Sequence, residues 1–316
     1  MVCLIVLASG RVFGQAPQFS SILAGAVFDP PSHSVRMVLG IPGAARISQV
    51  LLDGLDNAAL SPDGKNGVAL RQNNIIGLRR LDEASADVID FGSVSSTLNA
   101  AWSPDSRTAV VWFVNPDGTA SFHFWTAAQP VAAPVPVAFS FSSLQDVCVT
   151  ADGQAALLAV RDDIRSGIYR LMPSGSTELV TQAADPAALT LDSSGMFVYY
   201  LDRALHAVER IAPNDSAGSP EVVIPNLDSS MTVTALAILK GGRLALADTS
   251  RLSVSLFDVN TAAWIRTIEL SAAPDGFVPL GGSDWFIVAH RSEEASSMLL
   301  LDSRSQSVYF VPADEN

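Results

Sequence analysis

The sequence predicts an all-β fold, a β-propeller of about seven four-stranded blades with the first blade incomplete. Three observations carry this. Apolar residues fall in bursts of about five to eight rather than at helical spacing, which suits strands buried on both faces. A strand, a tight turn of fixed spelling and a second strand recur along the chain. Successive copies lie roughly 41 to 47 residues apart, the period of a propeller blade.

The elements follow in chain order. Val2 to Ala8 is a short apolar stretch, and Gly14-Gln15-Ala16 supplies small residues before a signal-peptidase cut, although Arg11 follows the apolar core instead of preceding it. Residues 1–16 are therefore expected to be an export signal and 17–316 a single propeller domain, periplasmic or extracellular. Next comes a hairpin, Gly25 to Val38, whose turn is Asp29-Pro30-Pro31, and then the apolar run Ile47 to Leu52.

The first repeat proper is Ala58 to Leu70, AALSPDGKNGVAL, and the second is Ala100 to Trp112, AAWSPDSRTAVVW. Weaker copies span Val147 to Val160, Ala188 to Leu201, Ala235 to Ala247 and Val278 to Ala289. The spelling is turn chemistry. Proline presets φ early in the turn, Asp or Ser bonds the backbone just ahead, and Gly takes the left-handed conformation that closes the hairpin. Small residues before the turn suit an inner strand, where blades crowd the axis.

A second unit alternates with the first, a hairpin with an Asp or polar turn, read as the outer two strands of each blade. It is clearest at Ser253 to Ile268 and Met298 to Val311, and Gly25 to Val38 is read the same way. Looser versions lie at Ile75 to Phe91, Ser121 to Phe139, Ile168 to Val180 and Leu205 to Ile224. Six complete blades follow from about Asp56 onward. Counting the N-terminal strands as a blade gives seven, preferred over six blades with an extension.

Composition bounds the function. Hydrophobic residues make up 48% and charged residues 16%, so a large core is affordable and disorder is not expected. The net charge of −13 argues against nucleic acid, which requires a basic surface. No apolar run reaches the roughly 20 residues of a membrane helix. Of two cysteines, Cys3 falls in the expected signal, leaving Cys148 as a buried small hydrophobe with no disulfide partner.

Trp102 to Trp112 and Ala59 to Lys65 resemble the repeats of TolB-like propellers, with a YVTN-type repeat architecture in the wider sense. Those repeats read Trp-Ser-Pro-Asp-Gly-Lys followed by an apolar strand. The resemblance implies propeller architecture and an exported protein of unassigned activity. It covers two repeats closely and four loosely, and the Gly-His and Trp-Asp signature of tryptophan-aspartate repeats is absent.

Catalytic spellings are missing. There is no Gly-x-Ser-x-Gly elbow, His-Glu-x-x-His helix, phosphate loop or dinucleotide fingerprint. No cofactor is implied. His33, His123, His206 and His290 fall in different repeats at places that look inequivalent, and no metal site is expected from them. The five tryptophans are expected in blade packing rather than on a sugar platform. The acidic pairs Asp162-Asp163 and Glu293-Glu294 are expected to be solvated loop charge.

Position is more informative. In a propeller the loops leaving the second strand of each blade share a face with the loops between blades, a common place for binding. Here those exits carry Arg71 and Asn73; Asn115 and Asp117; Arg161, Asp162 and Asp163; Asp202 and Arg203; Asp248 and Arg251; and His290 and Arg291. This mixture suits a protein, a peptide or a small polar or zwitterionic ligand. The expected function is thus a monomeric, non-enzymatic binding or interaction scaffold. The alternative is a lactonase-like hydrolase or lyase with its site in the central channel.

Overall fold

The computed structural model describes residues 23–312 apart from 42, 84–85, 94–96, 115–118, 128–136, 141–142, 163–164, 215–218, 283 and 292–296. Every regular element in it is a β-strand. The strands form seven antiparallel sheets arranged as a ring: a seven-bladed β-propeller. Blade 1 spans Leu23–Leu52 and has three strands; blades 2 to 7 start at Asn57, Asn99, Ser143, Pro186, Val233 and Val278 and have four each. The export-signal reading of residues 1–16 lies outside the described residues.

The recurring turn joins the first, innermost strand of a blade to the second. In blade 2 the Ser61 hydroxyl donates to Asp63 Oδ1 at 2.6 Å, and the same oxygen accepts the Lys65 amide at 3.1 Å. Ser103 with Asp105 and Thr150 with Asp152 repeat this pair at 2.6 Å each. The turn-closing residue is left-handed in each copy: Gly64, Gly153 and Gly195 have φ of 71°, 68° and 70°, and Ser106 has 64°. The Ser-Pro-Asp-Gly spelling thus encodes a hairpin that closes on its own polar atoms.

The hydrophobic core is distributed rather than central. Seven apolar clusters fill the seven gaps between neighbouring blades. Strand alternation supplies both sides of each gap. In blade 4's second strand, Ala156, Leu158 and Val160 pack towards blade 3, while Leu157 and Ala159 pack towards blade 5. The cluster of Val27, Val38 and Ile47 with Leu280, Trp285 and Leu300 closes the ring between blades 1 and 7. The blade period also appears as hydrogen bonds between residues 43 apart, Trp102 Nε1 to the Ala59 carbonyl and the Leu189 amide to Asp146.

Blade 1 departs from the sequence reading in one respect. Its hairpin does not supply the outer two strands. The carbonyl of His33, between its first two strands, accepts the Leu55 amide at 2.9 Å. In blades 5 and 6 the same bond joins the turn after the second strand to the next interblade connection, through His206 with Leu227 and Leu252 with Leu270. Leu23–Asp29 therefore sits in the second-strand position, and the strand missing among the described residues is the innermost. The flanking turns close over its place: the Gly282 amide of blade 7 donates to the Pro62 carbonyl of blade 2 at 2.8 Å. Gly25 permits this approach, since a Cβ there would lie 2.6 Å from Leu280 Cδ1. Apolar alternation cannot distinguish adjacent positions in a four-stranded blade, which is why the hairpin looks like an outer pair.

Candidate functional site

The antiparallel order places the recurring turns on one face, and the second-strand exits with the interblade connections on the other. Most exit residues named from sequence are engaged with the neighbouring connection. Arg71 donates to the Asp53 carbonyl at 2.9 Å, Arg161 lies 3.6 Å from Asp185, and Arg203 donates to Gln145 at 3.3 Å. Arg251 pairs with Asp228 and Ser230. Asn73 is left-handed at φ 64°. Asn115, Asp117 and Asp163 lie outside the described residues, as do the side chains of His290 and Arg291 and the pair Glu293-Glu294.

Asp202 and Asp248 are buried clasps. Asp202 accepts the amides of Ala184 at 3.0 Å, Ala204 at 2.9 Å, Leu205 at 3.3 Å and Asp185 at 3.4 Å. Asp248 accepts Thr232 at 3.1 Å and Ser250 at 3.0 Å. Each pins its own turn to the incoming connection; donors reach both oxygens of Asp202, whereas those on Asp248 all go to Oδ1. The left-handed residues of these turns include His33 and His206, at φ 50° and 49°. These two histidines occupy equivalent positions, an equivalence the sequence hid because blade 1's first described strand stands in the second-strand place.

The exits of blades 4 and 5 border a groove of about 740 Å³. Among the described residues Asp162, Asp202 and Glu209 supply its carboxylates, Arg165 its one lining cation, and Leu179 and Leu205 apolar walls. Glu209 is only 6% exposed, and its Oε2 accepts the Tyr200 hydroxyl at 2.6 Å. Burial and the Glu209 charge push the Tyr200 phenol up, so it remains a donor. Sequence reading passed over Glu209 because a lone Glu on the third strand looks solvent-facing.

A second cavity, about 530 Å³, lies on the axis, lined by the innermost strands and the turns that follow them. Trp102, Leu189, Leu191, Leu236, Ile238, Phe277 and Phe286 give it apolar walls, and Asp63, Asp105 and Asp192 contribute acids. Among the described residues that line it there is no lysine, arginine or histidine. Cys148 lines this cavity and is half-buried rather than enclosed in the core. Burial and then the neighbouring Asp146 charge push its thiol up. Asp146 itself is pushed up to about 6, because burial outweighs the amide bonds from Leu189 and Val147. No group of three or more metal-ligating side chains occurs among the described residues.

The tryptophans are mostly packing residues. Trp102 meets Trp125 edge-on at 5.3 Å, Trp112 stacks on Phe122, and Trp285 lies against Tyr309; Trp264 is 61% exposed.

No protein-family model matches the chain, and no curated protein does. Solved structures do. A functionally unknown protein from Desulfotomaculum acetoxidans aligns at a TM-score of 0.61 with 10% identity, covering 92% of this chain and 100% of the other. A putative 6-phosphogluconolactonase from Bacteroides fragilis aligns at 0.59 with 13% identity, covering 93% and 95%. A prolyl endopeptidase aligns at 0.58 with 15% identity over 94% of this chain, which spans only 51% of that enzyme. At such identities the likeness is one of fold: this chain is similar to propellers that differ widely in what they do.

Proposed function

We propose that this protein is an exported, monomeric, non-enzymatic binding module, and that its ligand seats in the axial cavity. The observation that carries the reading is the character of that cavity, with apolar and aromatic walls, carboxylates in the surrounding turns and no cation among its described lining residues. Concave apolar sites with a few fixed polar groups are the usual form of ligand sites. On a chain of net charge −13, the complementary occupant is an apolar segment carrying positive charge, such as an extended stretch of a partner polypeptide.

The test is fluorescence anisotropy with a labelled peptide alternating leucine and lysine, against one alternating leucine and glutamate. The lysine peptide should bind and the glutamate peptide should not. Ile238→Lys, which places a cation in the apolar wall, should weaken binding at least tenfold while circular dichroism stays unchanged. Equal binding of both peptides, or indifference to Ile238→Lys in a folded protein, overturns the reading. Export is tested separately by sequencing the N-terminus of the secreted chain, expected to begin at Pro17.

A further inference from the structure

We propose that the groove between blades 4 and 5 is a second binding site, specific for the side-chain ammonium or guanidinium of a partner polypeptide, with Glu209 as its receptor. It lies on the face opposite the recurring turns, away from the residues that line the axial cavity, and does not depend on that cavity being occupied.

Three features combine. The first is a buried, pre-positioned charge. Glu209 is 6% exposed, and one of its oxygens is fixed by the hydroxyl of the fully buried Tyr200 at 2.6 Å. Its other oxygen, Oε1, has no hydrogen-bond partner among the described residues and is not sealed from the groove that Glu209 lines. A carboxylate already largely desolvated and held in place, with one oxygen reachable from the groove, can bond a cationic donor without the ordering cost that a mobile surface carboxylate incurs.

The second is the charge balance of the lining. Among the described lining residues three carboxylates face one guanidinium, that of Arg165. The Asp202 oxygens already serve four backbone amides, which makes Glu209 the carboxylate that meets a ligand. The described carboxylates do not gather into a set that fits a metal ion, whereas a single buried carboxylate suits one ammonium or guanidinium.

The third is the shape of the walls. Leu179 and Leu205 are 36% and 56% exposed and flank the groove together with Tyr169 and Pro220. Apolar walls above an acidic floor match a side chain with an alkyl stem and a charged head, which is the construction of Lys and Arg. A bare inorganic cation or a small polar solute makes no use of such walls.

The experiment is a chemical-shift titration of the whole protein with N-acetyl-lysine methylamide, repeated with N-acetyl-norleucine methylamide and with calcium chloride. The lysine probe should shift resonances of Glu209, Leu205 and their neighbours, and the norleucine probe should bind at least tenfold more weakly. Glu209→Gln keeps an acceptor for Tyr200 but removes the charge, and should weaken the lysine probe at least tenfold. Leu205→Trp, at an exposed position, should block the groove without disturbing the core and serves if Glu209→Gln unfolds. Equal binding of the two amides, unchanged binding in a folded Glu209→Gln or Leu205→Trp protein, or tighter saturation of the same resonances by calcium would overturn the proposal. Ile238→Lys should leave this titration unchanged, so failure of the groove and failure of the axial cavity are separately readable.

Discussion

Gly153→Ala isolates what holds one blade against the next. Gly153 closes the recurring turn of blade 4 at φ 68°, and a Cβ there would lie 2.3 Å from Thr108 Oγ1 and 2.8 Å from Thr108 Cβ in blade 3. Two effects add. Alanine in the left-handed region costs about 1–2 kcal/mol. Overpacking against a side chain that is itself buried costs about 1–3 kcal/mol more, so the expected loss is about 2–5 kcal/mol. Gly54 is the internal control, because its φ is 70° but a Cβ there meets nothing within 4 Å. Gly54→Ala should therefore cost only the conformational part, about 1–2 kcal/mol. Urea unfolding followed by tryptophan fluorescence reads both variants, and Gly153→Ala with Thr108→Ala should recover part of the packing loss and none of the backbone strain. If Gly153→Ala and Gly54→Ala shift the urea midpoint equally, the turns do not pack blade on blade as described.

Three further predictions use the same measurement. Ser106 occupies the glycine position of blade 3's turn at φ 64°, and its Oγ accepts the Asp63 amide of blade 2 at 3.0 Å. Ser106→Gly should be near neutral, since relief of strain offsets the lost bond, whereas Ser106→Ala should destabilise by about 1–2 kcal/mol; equal effects would refute this account. Asp146 has a native pKa pushed up to about 6, above the unfolded value, so its contribution to stability falls as pH rises from about 4 to 6 and is level beyond. Relative to wild type, Asp146→Asn should gain about 2 kcal/mol between pH 4.5 and pH 7, and a difference that does not vary with pH would contradict it. Asp202→Ala orphans four backbone amides and should cost about 3 kcal/mol, while the exposed Arg203→Ala should stay within about 0.5 kcal/mol; comparable losses would show that Asp202 is not a clasp.

What could be read from the sequence was the part whose physics is local. The Ser-Pro-Asp-Gly turns close on their own side chains within five residues, so spelling and conformation coincide, and their spacing marks the blades. Seven blades with an incomplete first one follow from that count. The position of blade 1's hairpin was not legible, because it depends on which neighbours Leu23–Asp29 meets rather than on its own pattern. The same holds for the sites. Strand exits could be placed on one face from topology, but whether an exit aspartate is open or saturated depends on a connection some 18 residues away, as with Asp202 and Ala184. Glu209 and the axial position of Cys148 are products of packing, and no local signal marks either.

The direct closure of blade 7 onto blade 2 over blade 1 has a consequence for recognition. A propeller with seven like inner strands presents an incoming ligand with seven nearly interchangeable settings about the axis. Here the described inner wall has six strands and one sector bridged by the Gly282 to Pro62 bond. That sector is a landmark. Among the described residues it breaks the rotational degeneracy of the channel, so that a ligand seated there as proposed has one orientation to prefer, and every exit on the opposite face stands at a fixed bearing from it.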